Sequence, residues 1–122
     1  MNKNTLHIDI DTSVEELFAF TIDPNNTGSW VGTIEKEIVD AYPIGLGTIY
    51  TNDFSKLVVS AFIPNELFEL SEINGEYRVR YTYTSTKEGS HLEYAECMKD
   101  GSDLNKPFVQ ENLEKLKKVL EE

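Results

Sequence analysis

At 122 residues the chain fits one domain, and 39% apolar content with thirteen aromatic residues supports an independent core and excludes general disorder. Twenty-two acidic residues against eleven basic give a formal net charge of −11, which opposes binding to nucleic acid and docking on an anionic membrane. Cys97 is the only cysteine, so no intrachain disulfide can form; with no cationic-then-apolar leader the expected location is the cytoplasm.

Leu6, Ile8 and Ile10 alternate with His7 and Asp9, the pattern of a half-buried strand over 5–10. Thr12 and Ser13 then offer capping oxygens, with Glu15 and Glu16 at capping-box spacing, so a helix begins here. Val14, Leu17, Phe18 and Thr21 fall at helical spacing until Asp23-Pro24 stops the run. Asn25 to Val31 holds turn formers and Trp30, which fit a second short helix or an irregular turn.

Six short segments follow, predicted as strands over 33–39, 47–54, 57–63, 67–72, 77–84 and 91–98. Asn74-Gly75 predicts a two-residue hairpin turn with positive φ at both central positions. Tyr77, Val79, Tyr81 and Tyr83 alternate with Arg78, Arg80, Thr82 and Thr84, whereas Thr33 to Val39 alternates poorly and leaves its faces unassigned. Asp103 or Asn105 is expected to cap a long C-terminal helix, with Pro107 in its first turn. Phe108, Val109, Leu113, Leu116, Val119 and Leu120 form its apolar stripe. The predicted architecture is α+β: a seven-stranded, curved antiparallel sheet covered on one face by that helix, with one or two short helices after the first strand.

Three motifs in this order resemble the START-like, or Bet v 1-like, helix-grip superfamily and its bacterial polyketide cyclase/dehydrase-type members. They are the opening strand entering the helix through Thr12 to Phe18, Ile22-Asp23-Pro24 followed by Trp30, and Ile44-Gly45-Leu46-Gly47-Thr48. The resemblance covers the whole chain. It implies a cavity between sheet and C-terminal helix, used by relatives for lipids, sterols, polyketides, hormones or quinones. A few relatives are cyclases and some resemble co-chaperones. At 122 residues this chain is short for the group, which points to a small cavity or one filled by its own aromatics.

The expected function is therefore binding of a small apolar or amphipathic ligand. Phe18, Trp30, Phe62 and Phe68 are candidate lining residues, with Phe108, Val109 and Leu113 on the helix side. Tyr77, Tyr81, Tyr83 and Tyr94 would add phenol hydroxyls that orient a ligand, or would simply pack. Trp30 reads first as a plug at one end of the core, otherwise as part of the cavity mouth. Glu96 shares a face with Leu92 and Tyr94, and reads first as a rim carboxylate at a strand end. On the inner face it would be a cavity carboxylate with a raised pKa, the group a cyclase-like enzyme would use alongside a tyrosine. No acid–base pair can be assembled from sequence, because His91 alternates to the opposite face, so no catalytic residue is assigned.

His7, His91 and Cys97 have no metal-site spacing, and Gly45 and Gly47 lack the spacing and following helix of a phosphate loop; no metal or cofactor is expected. A third reading, from charge alone, is an acidic module that meets a basic protein partner.

Overall fold

The structure, a computed structural model, describes residues 2–122. Strand β1 (Lys3–Ile10) runs into helix α1 (Val14–Ile22) through Ser13, whose Oγ accepts the Glu16 N–H at 3.1 Å. Of the two predicted caps Ser13 with Glu16 therefore forms, while Thr12 Oγ1 instead donates to Glu16 Oε2 at 2.8 Å. Asp23 ends α1 and caps a 3-10 helix over Pro24–Ser29, its carboxylate accepting the Asn25 N–H.

The remaining strands are β2 (Glu37–Val39), β3 (Ile49–Asn52), β4 (Lys56–Ile63), β5 (Leu67–Glu72), β6 (Tyr77–Thr86) and β7 (Gly89–Met98). They form one antiparallel sheet in the order β1-β7-β6-β5-β4-β3-β2. The first and last strands in sequence are thereby neighbours, and β5 lies in the middle, flanked by β6 and β4. In β4 the register shifts between Val59 and Ala61, and Ser60 stands as the extra residue of a bulge that bends the sheet. Helix α2 (Gln110–Glu121) closes the edge of β1: Gln110 Nε2 donates to the His7 carbonyl and Lys117 Nζ to that of Asp9. No helix among the described residues is long and apolar enough to cross a membrane.

Three sequence expectations need correction. The strand expected over 33–39 shrinks to Glu37–Val39, because the preceding backbone bonds elsewhere: Ile34 N–H to the Val31 carbonyl, and Glu35 N–H to the Asp53 carboxylate. The Asn74-Gly75 turn is a wider loop in which, of the pair, only Asn74 has positive φ. Its flanks are held by other strands, with Ile73 N–H on the Lys56 carbonyl and Lys99 N–H on that of Glu76. The C-terminal helix starts at Gln110, after Pro107 rather than around it. Phe108 is pinned outside the helix, its N–H bonded to Glu96 and its carbonyl to Asn4, and Val109 follows in extended backbone, so the helix cannot begin there.

The core lies on the concave face. Leu17, Trp30, Phe68, Leu92, Leu113 and Leu116 are almost wholly buried, with Tyr50, Tyr81, Tyr83 and Tyr94 beside them.

Candidate functional site

A cavity of about 210 Å³ opens beside Trp30. Its sheet wall is built from alternate residues of neighbouring strands: Tyr50 and Asn52 on β3, Phe68 and Leu70 on β5, Tyr77, Val79 and Tyr81 on β6, and Tyr94 and Glu96 on β7. Glu37 joins this wall from β2, where it pairs with Asn52; the opposite wall comes from Thr27, Trp30, Val31 and Ile34, and a third side from Lys106 and Phe108 ahead of α2. Phe54, on the β3–β4 turn, stands exposed at the margin.

The aromatic side chains hold one another. Tyr94 and Phe108 stack at 4.2 Å, Trp30 meets Phe108 edge-on at 5.9 Å, and Tyr81 packs on Tyr94 at 5.2 Å. Trp30 is 1% exposed, and its indole N–H has no hydrogen-bond partner among the described residues. A buried, unpaired donor costs roughly 1–3 kcal/mol.

Two carboxyl groups stand in the wall. Glu96 is 3% exposed, which corrects its reading as a rim residue. Its Oε1 accepts the Tyr77 hydroxyl at 2.6 Å; its Oε2 accepts Asn4 Nδ2 at 2.9 Å and the Phe108 N–H at 2.6 Å. These donors come from both ends of the chain, which is why a residue late on a strand lies inside. Glu37 is the second carboxyl and went unassigned in the sequence, because it lies in the stretch that alternates poorly. Its Oε1 accepts the Thr27 hydroxyl at 2.6 Å, while Asn52 Nδ2 approaches Oε2 only to 3.4 Å. Burial raises the Glu37 pKa above the usual carboxylate range, against the opposing pull of those two hydrogen bonds.

Burial is also the main cause that pushes the phenols of Tyr50, Tyr77, Tyr81, Tyr83 and Tyr94 upward, so all five stay neutral at physiological pH. The neighbouring Glu96 charge adds to the effect at Tyr77.

Of the residues expected to line a cavity, Trp30, Phe68, Tyr77, Tyr81, Tyr94, Glu96 and Phe108 do so. Phe18, Phe62 and Tyr83 instead pack on one another, Phe18 meeting Phe62 at 5.5 Å and Tyr83 at 5.0 Å. The Tyr83 hydroxyl is taken by Thr21 Oγ1 at 2.6 Å. Leu113 is fully buried in the core on α2, and Val109 is 48% exposed because it precedes the helix rather than joining its apolar stripe. The cavity therefore borders the extended run before α2, not the helix itself. Sequence reasoning missed Tyr50, Asn52 and Glu37, because Asn52 meets Glu37 through β2–β3 pairing and no local pattern marks that pairing.

A larger open groove of about 690 Å³, lined by Asp9, Asp11, Lys87, Glu88 and Lys117 among others, carries no aromatic side chain. On the outer face His91 bonds both Asp9, at 2.7 Å, and His7, at 3.0 Å. Among the described residues no group of three His, Cys, Asp or Glu side chains is arranged to hold a metal.

No family model matches the sequence, and no curated protein matches it. Solved structures do match. Protein CV1439 from Chromobacterium violaceum superposes with a TM-score of 0.73 at 14% identity, covering 100% of this chain and 99% of that one. The Aha1 dimer from Colwellia psychrerythraea gives 0.70 at 12% identity, covering 99% and 97%. DynU16, a protein of the dynemicin biosynthetic locus, gives 0.69 at 18% identity, with 99% of this chain laid on 48% of that one. At such identities the likeness is one of fold, and it agrees with the topology above: the chain has a helix-grip fold.

Proposed function

We infer that this chain is a single START-like domain that binds one small amphipathic molecule in the cavity beside Trp30. The observation that carries this reading is an aromatic-walled space of about 210 Å³ bordered by two carboxyl groups, Glu37 and Glu96. Drug-sized ligands occupy roughly 300–1,000 Å³, so this site suits a molecule of about one ring and a short side chain. Sterols and long acyl chains are too large for it. The aromatic faces supply apolar contact, and Glu37 supplies a polar group that fixes orientation. A proton-transfer role for Glu96 is not favoured, since three donors already engage it and hold residue 108 in place.

Trp30 is the only tryptophan, so its emission reports directly on the cavity. Titration with 4-ethylphenol and 2-phenylethanol should change that emission saturably, while palmitate and cholesterol at their solubility limits should not. Absence of any response to single-ring probes at millimolar concentration would remove the reading.

A further inference from the structure

The acceptor side of the cavity limits the ligand more sharply than its shape does. A carboxylate offers about four lone-pair sites on two oxygens. On Glu37, the Thr27 hydroxyl takes one of them at 2.6 Å and the Asn52 amide approaches another only to 3.4 Å. No Lys, Arg or His among the described residues comes within ion-pair distance of Glu37. The only basic residue in the wall is Lys106, which is exposed, whereas Glu37 and Glu96 both contribute to it. An anionic ligand would therefore enter against two carboxyl groups. A neutral apolar ligand would strip water from Glu37 and return no partner, which is unfavourable for a half-buried acid.

A cationic ligand meets neither objection. An ammonium group can donate to the open Glu37 oxygen, and the aromatic faces around it attract positive charge. Glu37 pairs with Asn52 across β2 and β3, and Tyr50 stands two residues along β3, so the acceptor and an aromatic side chain share one part of the wall. We propose that the cavity selects small ring-bearing amines, with Glu37 receiving the ammonium group and the aromatic side chains of the wall holding the ring. This rests on the ligand-binding reading above and narrows it to one chemical class.

The test holds the ring constant and changes only the polar group. 2-Phenylethylamine, 2-phenylethanol and phenylacetate are titrated by calorimetry in about 0.3 M salt, where attraction to the acidic surface is screened. The amine should bind at least about tenfold more tightly than the alcohol, and phenylacetate most weakly. In Glu37→Gln, with its fold checked by circular dichroism, the amine-to-alcohol ratio should fall to about threefold or less. Glu35→Gln, which removes the same formal charge just outside the wall, should keep the wild-type ratio. Equal amine and alcohol affinities, or tightest binding of phenylacetate, would overturn the amine class while leaving ligand binding intact. A preference that persists in Glu37→Gln would overturn Glu37 as its origin. Failure of all three probes to bind would overturn both readings.

Discussion

Replacing Glu96 by alanine should loosen the extended segment that carries Phe108 into the site. The carboxyl group is 3% exposed and takes three donors, from Tyr77, Asn4 and the Phe108 backbone, at 2.6, 2.9 and 2.6 Å. Tyr77 is half-buried and its hydroxyl can turn toward water, so its loss costs about 1 kcal/mol. The Phe108 N–H cannot rotate away and loses about 2 kcal/mol, with a further 1 kcal/mol or so for the Asn4 amide. The expected destabilisation is about 4 kcal/mol, a large part of the roughly 5–15 kcal/mol that holds a domain folded. Glu96→Gln keeps one acceptor for the two N–H groups and offers its amide to the Tyr77 oxygen, so it should lose only about 1–2 kcal/mol. Urea unfolding followed by Trp30 emission measures both, because the indole packs edge-on against Phe108. Hydrogen exchange supplies the local reading: the Phe108 amide should lose protection in Glu96→Ala before the strands do. An alanine variant within about 1 kcal/mol of wild type, with the Phe108 amide still protected, would refute this account of the segment.

Three further outcomes follow from single contacts. Because burial raises the Glu37 pKa, folding retains a proton there, and the stability so gained is complete below pH 4.5 and lost as pH rises through the folded value. Glu37→Gln should therefore gain stability relative to wild type between about pH 4.5 and 7.5 in paired urea titrations; a constant difference would contradict the shift. Tyr50→Phe removes the hydroxyl that donates to the Ile22 carbonyl at 2.5 Å and should cost about 1–2 kcal/mol in the same assay, whereas no change would show that water replaces it freely. Gly89 has φ +148°, and a Cβ there would collide with the Ile10 carbonyl and the Thr12 backbone, so Gly89→Ala should lose at least about 2 kcal/mol by thermal denaturation. A neutral substitution would mean that this corner relaxes.

Much of the frame is legible locally. The alternation of Tyr77 to Thr84 marks β6 and its inner face, and Ser13 with Glu16 marks the start of α1. Both signals act within a few residues, so the chain carries them whatever surrounds it. The site is less legible because long-range partners make it. Glu96 is drawn inward by Asn4, 92 positions earlier, and by the Phe108 backbone, 12 positions later. Glu37 gains its place from Thr27 and Asn52, which come from a 3-10 helix and a separate strand. The same bonds explain the late start of α2: the helical pattern through Phe108 and Val109 is present, but hydrogen bonding to β1 and β7 overrides it.

The most direct test of the cavity follows the single indole N–H in a proton–nitrogen correlation spectrum during titration with 2-phenylethylamine. Trp30 gives one such signal, and its N–H is buried and without an acceptor among the described residues. Occupancy of the site should move the signal saturably, together with the Phe108 and Glu37 amides. An indole signal that stays fixed with the amine and with its alcohol counterpart, while the protein remains folded, would contradict ligand binding beside Trp30.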